Sequence, residues 1–296
     1  MMKYARMMVA AAVVLCSLCA TAQTKRGDVT GDGNVDIADV NYVIDLMLGK
    51  VTSETIYTVN GVTFSMVDVQ GGTFTMGATP EMGGHAWHPN DKPAHEVTLS
   101  SFSIGATEVT QELWVAVMGT NPSYYNGTGG GRHIEDYGVD LKRPVENVSW
   151  DLCQTFIEKL NELTGQHFRL PTEAEWEFAA RGGNKTQGYR YAGSNTVDDV
   201  AWYGANSDGM THAVAGKKPN ELGLYDMSGN VIEWCQDWYG DYSAEAQTNP
   251  AGPESGEFRV MRGSHINDTE QIMFISRRSG FYPSVAVAQF GLRLAQ

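Results

Sequence analysis

Cysteine is scarce in this chain. Of four cysteines in 296 residues, Cys16 and Cys19 fall in an apolar leader, and only Cys153 and Cys235 lie beyond it. Two cysteines cannot make a disulfide-stapled scaffold. They could pair in an oxidising compartment or stay apart as small buried hydrophobes, and spacing does not choose between these. Positive charge is also short, with 21 Lys and Arg against 35 Asp and Glu, a formal net charge of −14. An acidic surface repels phosphate, which disfavours nucleic acid and anionic membranes as partners. Beyond the leader no segment is apolar enough to cross a bilayer. Long helical periodicity is rare as well. Glycine is plentiful, at 33 residues, and hydrophobic residues make up 42%, enough for a core and against global disorder.

The leader has the pattern of an export signal. Lys3 and Arg6 precede an apolar run over residues 7–18, and Ala20-Thr21-Ala22 offers a cleavage site. Residues 1–22 are therefore expected to be removed, with Gln23 first in the mature chain. Taking Lys3 and Arg6 from the 21 basic residues leaves 19 against 35 acidic ones, a net charge of −16. Cys16 and Cys19 near the cut raise a lipoprotein reading, but Leu15 and Leu18 stand where a small residue is expected. The expected location is extracellular or at the cell surface, with the periplasm as an alternative.

A metal-loop pattern follows. Counting from Asp28, oxygen-bearing side chains fall at positions 1, 3, 5, 7, 9 and 12: Asp28, Thr30, Asp32, Asn34, Asp36 and Asp39. Gly33 holds position 6, where the loop must turn sharply. Hard calcium takes this many oxygens at this spacing. Asp39 replaces the usual Glu at the last position. Val40, Val43, Ile44, Met47 and Leu48 then recur on one helical face, and Gly49 supplies a stop. Residues 23–50 resemble a single dockerin type I repeat. A complete dockerin has two, and no second one is present in the sequence. Cohesin docking by one repeat is thus doubtful, and the lone apolar face needs some other cover.

Residues 51–57 are assigned as a linker with strand character, and residues 58–296 as the large domain. Thr110 predicts an N-cap for a helix over 111–118 ended by Gly119. Asp151 is expected to start a second helix, with Leu152, Phe156, Leu160 and Leu163 on one face and Gly165 at its end. Thr172-Glu173-Ala174-Glu175 is a capping box opening a third, which ends at Arg181-Gly182. Residues 97–99 and 290–294 have strand composition. Pattern alone predicts an irregular α+β domain.

A series of motifs narrows this. Gly71-Gly72-Thr73-Phe74-Thr75-Met76-Gly77 comes first, then Lys92-Pro93-Ala94-His95-Glu96-Val97 and Arg143-Pro144-Val145. Arg169-Leu170-Pro171-Thr172-Glu173-Ala174-Glu175-Trp176-Glu177 is the most specific. Gly223-Leu224-Tyr225-Asp226-Met227-Ser228-Gly229-Asn230-Val231-Ile232-Glu233-Trp234 is nearly as specific. Arg259-Val260-Met261-Arg262-Gly263-Ser264 and Phe290-Gly291-Leu292-Arg293-Leu294 close the set. In this order the motifs resemble the formylglycine-generating enzyme, or sulfatase-modifying factor, family over about residues 58–296. The resemblance implies a C-type-lectin-like fold with little regular secondary structure.

It also implies a chemistry to look for. The family's oxidases use two cysteines just beyond the Arg-Gly-Gly-Ser block to bind copper, and soft thiolates are what Cu(I) requires. Here the matching residues 265–275 hold no cysteine, and the block is one glycine short. Ser264 matches a pocket serine, which alone cannot activate oxygen. Copper and formylglycine generation are not expected. Asn230, Val231 and Glu233 match a calcium site of the oxidases. A second family branch uses iron held by a histidine cluster. His85, His88 and His95 are close in sequence, but Pro89 and a Gly-rich loop break the spacing. Glu173 and Glu177 share a helix face, yet a helix-capping role explains the acidic first turn better than acid–base catalysis.

Two readings of function follow. In one, the domain is a non-catalytic binding module for a protein or glycan. Its binding face would comprise Ser264, His265, Asn267, Asp268, Arg277, Arg278, Phe281 and Tyr282, since Arg and aromatic residues make good recognition groups. Cysteine-less relatives with adhesion, display or assembly roles support it by resemblance, and the dockerin-like repeat implies polysaccharide-degrading or surface assemblies. In the other, an enzyme of the sulfatase-modifying family keeps formylglycine or other oxidoreductase chemistry in the same pocket.

Overall fold

The computed structural model describes residues 35–37, 39–40, 43–44, 53–82, 89–127 and 139–296. The leader and the first four loop positions, Asp28, Thr30, Asp32 and Asn34, lie outside these, as do His85 and His88. The chain divides into two units, Met1–Ser53 and Glu54–Gln296. In the first, residues 37, 39, 40, 43 and 44 are helical. Asp39 is buried and accepts the Asp36 amide at 2.8 Å. Val43 is buried, whereas Val40 and Ile44 are exposed.

Among its described residues, the larger unit runs through twelve short strands and four helices. In chain order these are β1 (Glu54–Val59), β2 (Val62–Val69), β3 (Gly72–Met76), β4 (His95–Leu99), β5 (Phe102–Gly105), α1 (Gln111–Met118), α2 (Trp150–Thr164) and α3 (Glu173–Ala180). There follow α4 (Val197–Val200), β6 (Ala201–Trp202), β7 (Ser228–Gly229), β8 (Ile232–Trp238), β9 (Gln247–Thr248), β10 (Arg259–Arg262), β11 (Arg278–Phe281) and β12 (Phe290–Leu292). They form sheets ordered β1-β2-β5, β3-β4-β9, β11-β10-β8-β12 and β6-β7. Glu54–Val59 pairs along its whole length with β2. Part of the segment assigned as a linker is therefore the first strand of the unit.

Local chemistry explains the helices. Thr110 accepts the Leu113 amide, and Gly119 ends α1 in the left-handed region. The second helix is capped by Ser149, two residues before the expected start, because its hydroxyl takes the Leu152 amide. Its buried face is Cys153, Phe156, Ile157 and Leu160. Leu163 is exposed, so the apolar stripe is rotated from the expected one. The Thr172–Glu175 capping box forms as read. Cys153 and Cys235 are separate, buried thiols.

Unusually, all eight residues of α3 are buried, including Glu173, Glu175 and Glu177. Each carboxylate meets guanidinium groups. Glu177 lies between Arg181, at 2.7 Å, and Arg262. Glu173 takes Arg278 through Nε and Nη2 at 2.7 Å each. Glu175 takes Arg169 at 2.6 and 2.7 Å. A fourth pair, Glu233 with Arg293, joins β8 to the last strand at 2.8–3.2 Å, and Trp176 Nε1 donates to the same carboxylate at 2.7 Å. Burial alone would push the Glu177 carboxyl up, but Arg181 and Arg262 hold it below its ordinary value.

Removing one partner leaves a buried charge unpaired. Glu177→Gln is expected to destabilise the unit by about 3–5 kcal/mol in urea unfolding at neutral pH. Because its folded carboxyl is depressed, that contribution is present above the unfolded value and is lost as pH falls through the folded one. The stability gap between wild type and variant should therefore narrow towards acid pH. A loss below about 1 kcal/mol at neutral pH, the range of an exposed pair, would contradict this.

Candidate functional site

The loop after β10 carries the residues that the oxidase comparison points to. Ser264 is buried, and its hydroxyl accepts Arg277 Nη1 at 3.5 Å. The same Arg277 makes an ion pair with Asp268. Asp268 Oδ2 also accepts the His265 amide at 3.0 Å. His265 Nδ1 accepts the Asn267 amide at 3.2 Å, so in the neutral ring the proton sits on Nε2, which lies 3.5 Å from Asp268 Oδ1. Burial lowers the His265 pKa, Asp268 raises it, and Arg277 lowers it, with a net downward shift. Ser264, His265, Asp268 and Arg277 thus form one interlocked cluster.

That cluster is anchored from below. Ile266 is buried, donates its amide to the Asn230 carbonyl at 3.1 Å, and accepts Ser207 Oγ at 2.8 Å. Gly204 donates to the Asp268 carbonyl at 2.9 Å. A Cβ on Gly204 would stand 2.9 Å from that carbonyl, so only glycine allows the approach.

Other members of the expected face lie elsewhere. Arg277, just before β11, and Arg278, its first residue, have different partners. Arg277 reaches Asp268, while Arg278 turns inward to Glu173 and is buried. Arg278 therefore does not belong to an exposed face, and Ser264 contributes from beneath the surface. Phe281 and Tyr282 are exposed, at 40% and 48%. They pack edge-on against Phe290 and Phe258, and the Tyr282 hydroxyl donates to Glu257 at 3.1 Å. Asn267 is exposed.

The oxidase metals were tested against this donor set. Both remaining thiols are buried outside the loop, and burial pushes both pKa values well up, so neither offers the thiolate that Cu(I) needs. The Ser264 loop presents a carboxylate–guanidinium pair in place of soft ligands, which does not fit copper. The expected calcium residues are also committed. Asn230 Oδ1 accepts the His212 amide at 3.0 Å, and its Nδ2 donates to Glu108 at 2.7 Å. Val231 donates its amide to Glu108 at 3.0 Å. Both Glu233 oxygens take donors from Arg293, so a guanidinium already supplies the positive charge there. The side-chain oxygens of Asn230 and Glu233 are thus already engaged, which does not fit their expected role as calcium ligands. Their motif instead joins the Ser264 loop, β8 and the last strand. His95 is buried with Nδ1 3.1 Å from the Pro93 carbonyl and its ring edge-on to Tyr242.

Sequence reasoning missed a second cluster. Glu173, Asp237, Tyr242 and Arg278 border one cleft of about 500 Å³. The aromatic-rich run Trp238-Tyr239-Gly240-Asp241-Tyr242 was the one available signal.

Short sheets joined by long loops, a helix buried through ion pairs, and a serine loop below β10 define a mixed α/β domain of the sulfatase-modifying class. The chain belongs to the sulfatase-modifying factor enzyme 1-like domain family, whose model matches residues 56–296. It is similar to a chaperone protein LppX of Paenibacillus barcinonensis, 35% identical over 59% of this chain and 74% of the relative. It is 30% identical to a formylglycine-generating enzyme of Streptomyces coelicolor, over 79% of this chain and 89% of that one. Among solved structures, Treponema denticola variable protein 1 aligns with a TM-score of 0.71 and 35% identity, covering 82% of this chain and 98% of that one.

The cluster makes a prediction about His265. By NMR titration it should ionise below the ordinary 6.5. Asp268→Asn removes the group that raises its pKa, so the variant should titrate lower still. A His265 pKa at or above 6.5 in the wild type would contradict the assigned geometry.

Proposed function

We propose that this chain is an exported, non-catalytic binding protein whose sulfatase-modifying domain recognises a protein or glycan. The observation that carries this reading is the Asp268–Arg277 pair. It stands in the loop where the family's oxidases place soft ligands, and it ties up Ser264 and His265. No nucleophile–base pair stands free in that cluster. Asn267 on the same loop, Phe281 at the end of β11 and Tyr282 just beyond it supply exposed recognition groups. The names of relatives support a fold used for more than one purpose, since a chaperone and a variable protein appear beside enzymes. The lectin-like character of the fold belongs to this proposal.

The leader supports export, and no helix among the described residues is long and apolar enough to cross a membrane. The loop from Asp28 to Asp39 is proposed to hold structural calcium, on its oxygen spacing. A calcium-ordered, dockerin-like repeat would tether the domain within a polysaccharide-degrading or surface assembly. A second reading is favoured by relatives named as formylglycine-generating enzymes: catalysis in the same pocket, by chemistry that does not use thiolates.

Two measurements check the first reading. The mature protein is screened on a glycan array and by pull-down, with and without calcium. A specific ligand that is lost when Phe281 and Tyr282 are changed to Ala is the expected outcome, with each truncated anchor costing about 1–2 kcal/mol of binding. No ligand in either state would count against it. Calorimetry with calcium addresses the loop separately. Binding heat and a raised thermal midpoint are expected, because a ligand of the folded state stabilises it. Neither should survive Asp32→Ala, and their absence in the wild type would sink the loop assignment.

A further inference from the structure

The cleft beside α3 shares no lining residue with the Ser264 loop. Its wall carries Glu173, Asp237, Tyr242 and Arg278, its rim Asp241, and its far side the turn from Gln247 to Pro253. The positive charge in it is already used. Arg278 is bidentate to Glu173, donates to the Gly240 carbonyl at 2.7 Å, and lies over the rings of Tyr239 and Tyr242 at 4.4 and 4.0 Å. Glu173 is equally satisfied, since the Tyr242 hydroxyl adds a third donor at 3.0 Å.

Asp237 differs from both. Only 4% of it is exposed. Its Oδ2 accepts the Glu173 amide at 2.9 Å, but no Lys, Arg or His among the described residues reaches it as an ion-pair partner. Arg259, on the adjoining strand, feels the Asp237 charge but forms no ion pair with it. It is clamped between the rings of Trp150 and Trp238, at 3.8 and 3.5 Å, and donates to the Gln236 carbonyl. Burial pushes the Asp237 carboxyl up to about 7, and the charges of Glu173 and Glu175 push the same way. The Cys235 thiol, two residues before it, is kept neutral by burial. A buried carboxyl that borders an open cleft, with no ion-pair partner among the described residues, is half of an ion pair.

We propose that this cleft binds a primary ammonium group, with Asp237 as its counter-ion and Asp241 at the rim as a second attraction. The alkyl chain behind the ammonium lies against Met76 and Pro250. A lysine side chain and a free alkylamine share this chemistry. Asp237 must give up its proton to form the pair. Binding therefore releases a proton below about pH 7, and affinity rises roughly tenfold per pH unit up to that value before levelling.

The mature protein is titrated calorimetrically with Nα-acetyl-lysine amide, n-butylamine, Nε-acetyl-lysine amide and n-butanol, on both sides of pH 7. Both amines are expected to bind, with proton release on the acid side, and the two neutral compounds are not. Tighter binding of the lysine amide assigns a peptide side chain, and tighter binding of butylamine assigns a free amine. Asp237→Asn should abolish binding while its thermal midpoint matches or exceeds wild type above pH 7, where the buried carboxylate costs stability. Asp241→Asn, at the rim, should weaken binding a few-fold without affecting folding. The proposal is overturned if neither amine gives heat, if the neutral compounds bind as well, or if affinity ignores pH. It is also overturned if a folded Asp237→Asn retains binding.

Discussion

Everything in the larger unit depends on how one short helix buries its charges. The helix Glu173–Ala180 has no solvent face, yet three of its eight residues are glutamates. Buried carboxylates are tolerable only when paired and hydrogen-bonded. Here the partners come from other elements: Arg262 from β10, Arg278 from β11, Arg181 from just past the helix, and Arg169 from just before it. Each pair is therefore a cross-link as well as a charge balance. Arg293 with Glu233 does the same for the end of the chain. Together these pairs fix loops that contain little regular secondary structure.

The same lattice decides what the neighbouring surfaces can do. Arg262 is inside the lattice, and the residues after it fold over Trp176 into the Ser264 loop. That loop has a rigid base and a pinned carbonyl, but its polar side chains are spent on each other. On the other side, Arg278 is spent on Glu173, and among the described residues Asp237 has no ion-pair partner. A rigid frame with variable loop chemistry suits a family whose members bear different names.

Much of the fold was legible because its signals are local. Thr110, Gly119 and the Thr172–Glu175 box are caps whose chemistry acts within four residues. The second helix is capped two residues earlier than Asp151 because Ser149 competes as a cap and its hydroxyl takes the Leu152 amide. Glu173 and Glu177 read as first-turn carboxylates favoured by the helix dipole, since nothing in a sequence shows that Arg262 and Arg278 arrive from 85 and 105 residues later. Arg277 and Arg278 look alike in sequence but pair with different carboxylates, Asp268 and Glu173, which only the tertiary structure brings near them. Asp237 was invisible for the same reason: its significance is a missing partner, and a missing partner has no motif.

The central proposal is that the Ser264 loop does not carry the thiolate chemistry of the family's oxidases. Mass spectrometry of a cysteine-containing sulfatase peptide, incubated with the mature protein, copper, oxygen and a thiol reductant, tests it most directly. The account predicts an unmodified cysteine at every time point, because residues 265–275 supply no thiolate and Cys153 and Cys235 are buried and protonated. Formylglycine that accumulates with time and disappears in a Ser264→Ala variant would contradict it.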